Sequence, residues 1–253
     1  MEINGLRAII IGGASGFARA TATRIANGGG TVAILDRAES AGAEVAAELG
    51  GSWHPTDVLD FEGIEVVIGE AVEAMGGLDM ALNTAGGGKA GRTVGRDGPF
   101  SLDDFRAVID LNLIATFNTS RLCGWHMSKN EPNAEGERGV LINTASIAAF
   151  EGQIGQVAYT AAKAGIAGMT LTIARDLGSL GIRCVTIAPS LFATGLTARI
   201  DEERGKQLTK DAAFPKRLGQ PDEFGRLAIS IIENPMLNGD TIRLDAGTRF
   251  APK

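Results

Sequence analysis

Ser146, Tyr159 and Lys163 are the residues of this chain whose types and spacing could do chemistry together. Tyr159 follows Ser146 by thirteen positions, and Lys163 lies four residues further on. If Tyr159 opens a helix, Lys163 lies one turn along on the same face. The ordinary pKa of tyrosine is about 10, and one cation about 4 Å away supplies roughly the 4 kcal/mol needed to bring that pKa towards neutrality. The Ser146 hydroxyl could then hold a carbonyl oxygen while the phenol gives or takes its proton.

A tyrosine and a lysine at this spacing occur by chance in many helices, so the elements around them must support the interpretation. Near the N-terminus, the run RAIII at 7–11 is typical of a buried strand, and a helix is predicted from about Gly16 to Asn27. Gly12, Gly16 and Ala18 lie from the end of the strand into the first turn of that helix, the position of a dinucleotide-binding turn. Such a turn lets a pyrophosphate approach the amides of a helix N-terminus, whose dipole favours an anion. We favour this interpretation over a turn that only connects two elements.

Two carboxylates follow the next strands. Asp36 ends the strand TVAILD about twenty residues beyond the glycines, where it can accept hydrogen bonds from ribose hydroxyls. It would repel the additional phosphate of NADP, so NAD is the predicted cofactor, although Arg37 next to it could hold a 2′-phosphate. Asp57, at the end of the third strand, is a candidate for the adenine amino group or, nearly as well, for an Asx turn.

Strands alternate with helices along the whole chain. This order predicts one α/β domain over 1–253, a Rossmann-type doubly wound parallel sheet with helices on both faces. The segment 190–220 follows a strand end and is the predicted substrate lid. Further strands are predicted at 31–36, 54–58, 78–83, 139–143, 183–188 and 241–244, and further helices at 39–49, 61–75, 101–127, 159–177, 197–210 and 222–232.

Composition limits the possible partners and location. The net charge of −6 argues against nucleic acid as a partner. A basic targeting segment and an apolar span of 18 residues are both absent from the sequence pattern, which argues against a membrane. Cys123 and Cys184 do not form a disulfide framework, and His54 and His126 lack partners at metal-ligand spacing. We therefore expect a soluble cytoplasmic protein without a metal site.

The motifs together resemble the short-chain dehydrogenase/reductase family over the whole chain. Within that family the chain is most similar to the branch of type-2 3-hydroxyacyl-CoA dehydrogenases, through segments 130–132, 138–159, 168–177 and 231–245. The family motifs are GGASGFA at 12–18, Asp57-Val58, NTAG at 83–86, Asn112, Ser146, YTAAK at 159–163 and PSLFAT at 189–194.

The resemblance implies a role for each matching residue. Tyr159 is the expected acid and base, and Lys163 is expected to lower its pKa and hold the nicotinamide ribose. Ser146 is expected to orient the substrate oxygen, and Asn112 to support a proton-relay water. The positions implied for cofactor binding, besides Tyr159 and Lys163, are Gly12, Ser15, Gly16, Phe17, Asp36, Asp57, Val58, Thr84, Ala85, Gly86, Pro189, Phe192 and Thr194.

The expected activity is NAD-dependent interconversion of a secondary alcohol and a ketone, with a 3-hydroxyacyl-CoA thioester as leading substrate. Alternatives are an NADPH-linked 3-oxoacyl-carrier-protein reductase, a hydroxysteroid or other alcohol dehydrogenase and, from a different class, a non-catalytic NAD-binding scaffold. Lys89, Arg92 and Arg96 belong either to a solvated loop or to a site for CoA phosphates. The resemblance also implies a homotetramer.

Overall fold

Seven parallel strands form one sheet in the order β3-β2-β1-β4-β5-β6-β7. The computed structural model describes residues 1–195, 197, 200 and 202–252. The strand order runs outward from β1 in both directions, which is the doubly wound arrangement and confirms the predicted fold. The strands are β1 (Arg7–Ile11), β2 (Thr31–Asp36), β3 (Ser52–Pro55), β4 (Met80–Asn83), β5 (Gly139–Thr144), β6 (Ile182–Pro189) and β7 (Thr241–Leu244).

Helices cover both faces of this sheet, as expected. They are α1 (Gly16–Asn27), α2 (Gly42–Leu49), α3 (Gly63–Met75), α4 (Leu102–Ile109), α5 (Ala115–Met127), α6 (Val157–Gly178), α7 (Glu202–Leu208) and α8 (Pro221–Glu233). Alternate residues of a strand face opposite sides, so Ile10 packs with α1 and α8 while Ile9 and Ile11 pack with α3 and α5. Both faces of β1 are therefore buried, whereas the edge strands β3 and β7 are only partly buried.

Several predicted boundaries are wrong. The helix predicted at 39–49 begins at Gly42, because Arg37–Ser40 forms a turn in which the Ser40 amide donates to the Arg37 carbonyl over 2.9 Å. Helix α6 begins at Val157, so Tyr159 lies in its first turn and does not open it. The third strand covers Ser52–Pro55 instead of the predicted 54–58. The fourth strand begins at Met80, two residues after its predicted start at Leu78.

The single helix predicted at 101–127 has three parts. The π-helix Asp110–Ile114 separates α4 from α5. Of the helix predicted at 197–210, α7 accounts for 202–208, and residues 196, 198, 199 and 201 of the predicted lid lie outside the described residues.

Helix α6 was not expected to resemble a membrane span. By length and composition alone it could cross a membrane, with a mean hydropathy of 1.2 over its most apolar window. Its buried residues nevertheless include Lys163 and Thr170, and it packs against β6. Apolar residues on this helix therefore contribute to the core.

Candidate active site

The turn between β1 and α1 can accept a phosphate group. Gly12 has φ +78° and Gly16 has φ +53°, in the left-handed region that glycine adopts most readily. A Cβ on Gly12 would lie 2.7 Å from Thr84 Oγ1, so the turn and the segment after β4 approach as closely as glycine allows. Ser15 stands at the N-cap of α1, but its side chain makes no capping hydrogen bond. Backbone amides at this end thus remain available to an anion.

A cavity of about 460 Å³ adjoins this turn on the β2 side. Asp36 Oδ2 accepts from the Ala14 amide over 3.0 Å, and its Oδ1 accepts from the Arg37 amide over 2.8 Å. The cavity contains the predicted residues Gly12, Ser15, Asp36, Asp57, Val58, Thr84, Ala85 and Gly86.

Arg37 and Asp57 both line this cavity. The Arg37 Nη1 lies 3.1 Å from Glu39 Oε1, so its guanidinium is paired at the surface. Asp57 Oδ1 accepts from the Leu59 amide over 2.9 Å, which is the Asx turn considered as its alternative role. Asp57 still contributes to the cavity wall, so its turn positions it beside the space for an adenosine.

A second cavity, of about 620 Å³, contains the three residues of the chemical motif. Its lining also includes residues that end or follow β6, namely Pro189, Ser190, Leu191, Phe192, Thr194, Gly195 and Thr197. The two cavities share Gly12, Ser15, Thr84 and Gly86, so they form one cleft across the carboxyl ends of the strands. A cleft of two compartments joined at a glycine turn fits the two halves of a dinucleotide. The predicted residues Gly16, Phe17, Phe192 and Thr194 also line it.

Lys163 is buried, with 4% of its surface exposed. Its ammonium donates to the Thr144 carbonyl over 2.8 Å and lies 5.6 Å from the centroid of the Tyr159 ring. Burial lowers the pKa of Lys163 to about 8. The position one turn from Tyr159 is as predicted, but the ammonium is held by the backbone of β5.

The pKa of Tyr159 differs from the expectation. Burial raises the pKa of its phenol, and a hydrogen bond with Ser146 lowers it. The net direction is upward, because desolvation of the phenol is the largest contribution. A lowering of the Tyr159 pKa by Lys163 stays a prediction.

Ser146 has an extended backbone and caps the short 3₁₀ turn Ile147–Ala149. Its Oγ accepts from the Ala148 amide over 3.1 Å, so its hydroxyl hydrogen is free to point towards the phenol or towards a substrate oxygen. The residue therefore has both the capping role that its type suggests and a place beside Tyr159.

Asn112 lies in the π-helix and is completely buried. Its Nδ2 donates to the Gly87 carbonyl over 2.6 Å and to the Val108 carbonyl over 2.8 Å, while Oδ1 accepts from the Gly87 amide over 3.2 Å. A Cβ on Gly86 would lie 2.6 Å from that oxygen. The amide of Asn112 thus holds the glycine segment beneath the cleft and has no free hydrogen for a water molecule.

Phe17 and Phe192 serve the core as well as the cleft. The Phe17 ring stacks on Phe224 at 4.4 Å and meets the edge of Phe192 at 5.1 Å. These contacts hold α1 and α8 together beside the pyrophosphate turn. Lys89, from the basic loop, forms an ion pair with Asp104 at 2.8 Å.

Several further residues of the site were not predicted from the sequence. The Thr144 carbonyl anchors Lys163, Gly87 binds Asn112, and Gly88 lies close to the Tyr159 ring, since a Cβ there would be 3.3 Å from Cδ2. Thr56 and Leu111 line the adenosine compartment. The run of three glycines at 86–88 was the signal for the close approaches. A residue that contributes only a backbone carbonyl, such as Thr144, or that only lines the cavity, such as Thr56 or Leu111, leaves no comparable pattern in the sequence.

Comparison with known proteins agrees with this geometry. The family model described as short chain dehydrogenase matches residues 7–205. The chain is 46% identical to human 3-hydroxyacyl-CoA dehydrogenase type-2 (99% of this chain, 98% of the relative). It is also 46% identical to the Drosophila melanogaster protein of the same name (96% and 97%).

Solved structures show the same relationship. The crystal structure of 3-hydroxyacyl-CoA dehydrogenase type-2 from Mycobacterium avium superimposes with a TM-score of 0.94 at 43% identity, covering 98% of both chains. A 7 alpha-hydroxysteroid dehydrogenase complexed with NADH and 7-oxo glycochenodeoxycholic acid has a TM-score of 0.86 at 26% identity, covering 100% of this chain and 97% of the other. The chain is therefore an oxidoreductase that belongs to the short-chain dehydrogenase family.

Proposed function

We propose that this protein interconverts a 3-hydroxyacyl-CoA and a 3-oxoacyl-CoA with NAD as the cofactor. The observation that carries the proposal is the grouping of Ser146, Tyr159 and Lys163 in one compartment of a dinucleotide-sized cleft. The names of the relatives that match over nearly the whole chain support the substrate class.

The cofactor is argued from the adenosine compartment. Asp36 uses one lone pair of each oxygen on backbone amides, so each oxygen can still accept a hydrogen bond from a ribose hydroxyl. A 2′-phosphate would meet this carboxylate, while the guanidinium of Arg37 is turned to Glu39. Gly12 and Gly16 leave room at the helix end for the pyrophosphate. These features favour NAD over NADP.

The residues of the chain divide the proton chemistry among them. When bound, the nicotinamide dinucleotide supplies the hydride acceptor for oxidation and the donor for reduction. In oxidation, Tyr159 Oη takes the hydroxyl proton of the alcohol, and the Ser146 hydroxyl donates a hydrogen bond to the same substrate oxygen. Lys163, anchored to Thr144, places a positive charge beside the phenol and favours its ionised form. In reduction, Tyr159 returns the proton.

The substrate opening lies between the Ser146 side and the segment after β6. Of the basic loop, Lys89 is paired with Asp104, and Arg92 is exposed. We infer that exposed guanidinium groups of this loop attract the phosphates of CoA, which Arg binds well in bidentate fashion. Substitution of Arg92 and Arg96 should raise the KM for a CoA thioester without raising it for the corresponding pantetheine thioester.

The decisive measurement is the oxidation of NADH in the presence of acetoacetyl-CoA. We expect turnover with NADH, and a far lower kcat/KM with NADPH. Tyr159→Phe should reduce kcat by roughly 10²–10⁴-fold, because a positioned acid contributes that much. Its NADH affinity should change less than twofold, since the substitution removes one hydroxyl.

Each contrary result overturns a separate part of the proposal. An equal loss of turnover and NADH affinity would remove Tyr159 from the chemistry. A preference for NADPH would contradict the role of Asp36 and favour the carrier-protein reductase. If a hydroxysteroid is oxidised faster than any thioester, the substrate class is a hydroxysteroid and not a 3-hydroxyacyl-CoA. If the protein binds NADH but turns over no thioester or alcohol, the remaining function is that of a non-catalytic NAD-binding scaffold.

We propose that the protein is a cytoplasmic homotetramer. Phe117 and Trp125 on α5 and Leu171 on α6 expose between 46% and 62% of their surface, which suits helix faces covered by further copies. The buried free thiols of Cys123 and Cys184 suit a reducing compartment. Light scattering should give four times the mass of the chain, and cell fractionation checks the location.

A further inference from the structure

The turn at residues 245–248, here called the C-terminal turn, lines a cavity of about 400 Å³ beside the cleft. That cavity shares Ser190, Leu191 and Phe192 with the compartment that contains Ser146 and Tyr159. The loop 146–156, here called the Ser146 loop, runs from Ser146 to the start of α6, and its first residue lines one wall of the substrate opening. The other wall is the segment that follows β6. Strand β7 lies beside β6 and leads directly into the C-terminal turn. The chain after β7 can therefore contact both walls.

The Ser146 loop is tied to β7 by a bidentate ion pair. Arg243 Nη1 donates to Glu151 Oε1 over 2.8 Å, and Nη2 donates to Glu151 Oε2 over 3.0 Å. Both side chains expose only 22% of their surface. Such a fork-to-fork arrangement fixes the relative orientation of two segments as well as their distance.

Arg243 also holds the C-terminal turn. Its Nε donates to Asp245 Oδ2 over 2.7 Å, and its Nη2 donates to the Thr248 carbonyl over 3.0 Å. The guanidinium lies 5.2 Å from the centroid of the Phe150 ring, on the Ser146 loop. One guanidinium thus joins the strand, the turn and the loop.

The last residues add backbone contacts to the same loop. The Phe250 amide donates to Glu151 Oε2 over 3.3 Å, and the Ile154 amide donates to the Pro252 carbonyl over 3.1 Å. Glu151 is in turn bonded through its amide to the Ile147 carbonyl, one residue after Ser146, over 3.0 Å. Movement of Glu151 is therefore transmitted to the residue next to Ser146.

The opposite wall is held by the same turn. The Ala246 carbonyl accepts from the amides of Ala213 and Phe214 over 2.9 and 3.2 Å. The Ser190 amide donates to the Leu244 carbonyl over 3.1 Å. Ala246 has φ +54°, a conformation that costs a residue with a Cβ some strain and so indicates a turn held by its neighbours.

We propose that Glu151 and Arg243 are positioning residues, whose ion pair sets the place of Ser146 and of the first turn of α6 relative to the opposite wall of the opening. Neither residue touches the reacting atoms. The inference rests on the proposed function, because the effect on turnover presupposes that Ser146 and Tyr159 are catalytic. Displacement of a catalytic group by about 1 Å can cost up to 10²-fold in rate.

The test compares Glu151→Gln and Arg243→Lys with the starting protein in the acetoacetyl-CoA assay. Both variants should lower kcat about tenfold and raise the KM for the thioester, because each breaks the two-bond geometry. Arg243→Lys keeps the positive charge, so a lower kcat in this variant shows that the bidentate geometry of the ion pair is required. The affinity for NADH should change less than twofold in both, since Gly12 and Asp36 lie elsewhere in the cleft.

Asp222→Asn is the matched control. Asp222 forms an equally bidentate pair with Arg24, at 2.6 and 2.7 Å, between α8 and α1. Its removal should leave kcat and KM within twofold. If Glu151 only stabilised the fold, Glu151→Gln would lower the melting temperature as Asp222→Asn does. In that case kcat and the affinity for NADH would change together.

Amide hydrogen exchange of residues 146–156 provides a reading that does not depend on turnover. Faster exchange there in both variants is expected. If the starting protein is active and both variants keep its kcat and KM within twofold, or exchange is unchanged, the inference is overturned while the proposed function stands. If the starting protein is inactive and exchange is faster, the proposed function fails but the anchoring of the loop is supported.

Discussion

Tyr159 is the residue on which the proposed chemistry depends, and the burial of its phenol opposes ionisation. Burial raises the pKa of the phenol, and the hydrogen bond with Ser146 lowers it. A raised pKa suits the acid needed for ketone reduction and makes alcohol oxidation dependent on high pH.

Tyr159 is the single tyrosine of the chain, so its titration can be followed directly. We expect the ultraviolet absorbance of the phenolate in the free protein to appear with a midpoint above the ordinary value of about 10. The rate of oxidation should rise with pH as Tyr159 ionises. A midpoint well below 10 in the free protein would mean that the positive charge of Lys163 outweighs the burial of the phenol.

Lys163 is the second residue whose burial has a measurable cost. Its pKa falls from 10.5 to about 8, so the folded protein holds this proton less tightly than the unfolded chain does. The cost of the buried charge is therefore present in full below pH 8, and it is lost as pH rises from 8 to 10.5.

Lys163→Met should stabilise the protein at pH 7 while it removes activity. We expect the free energy of unfolding to rise by about 1–3 kcal/mol, because each pKa unit corresponds to about 1.4 kcal/mol and the lost hydrogen bond to Thr144 offsets part of the gain. Urea unfolding at pH 7 and at pH 10 checks this, and the gain should be smaller at pH 10. An equal gain at both values would show that burial of charge is not its source.

At the scale of elements, the turn between β1 and α1 and the π-helix between α4 and α5 shape the cleft from two sides. The turn brings Gly12 against Thr84, and the π-helix brings Asn112 under Gly86 and Gly87. A π-helix inserts one residue into a helix, and such insertions are frequent at functional sites.

Gly12→Ala should weaken NADH binding by at least about tenfold, because its Cβ would lie 2.7 Å from Thr84 Oγ1 and 3.0 Å from the Ala85 amide nitrogen. Gly5→Ala is the matched control. Gly5 has φ +80° but no atom within 4 Å of its added Cβ, so it introduces the same backbone strain without the clash. Isothermal titration with NADH measures both. Equal weakening in the two variants would assign the effect to strain alone.

At the scale of the whole molecule, a buried polar network joins the middle of the sheet to α5. Asn83 Nδ2 donates to Asn143 Oδ1 over 2.7 Å, and Thr119 Oγ1 donates to Asn83 Oδ1 over 2.6 Å. Ser120 completes the group by donating to Asn143 Oδ1 over 3.2 Å. The network lies at the carboxyl ends of β4 and β5, directly below the cleft.

Asn83→Leu should destabilise the protein by about 1–3 kcal/mol, because Asn143 Oδ1 loses its 2.7 Å donor and keeps only the longer hydrogen bond from Ser120. Chemical unfolding gives this value. Asn27→Leu, at an exposed position at the end of α1, should change stability by less than about 0.5 kcal/mol. A comparably small effect of Asn83→Leu would mean that the network rearranges around the apolar side chain.

The sequence by itself determined the order of strands and helices, the glycine turn, the place of Asp36 and the spacing of Tyr159 and Lys163. Each of these depends on neighbours in the chain: the periodicity of apolar residues, the φ values of glycine and the pitch of a helix. The resemblance to a family through long separated segments added the activity.

Only the tertiary structure decided how strongly each group is desolvated and which distant segments meet. It reversed the expected direction for the pKa of Tyr159, divided the helix at 101–127 and placed Phe17 on Phe224. It also joined Glu151 to Arg243, which are 92 residues apart. Burial and long-range ion pairs depend on the packing of the whole chain, so no local pattern of residues could predict them.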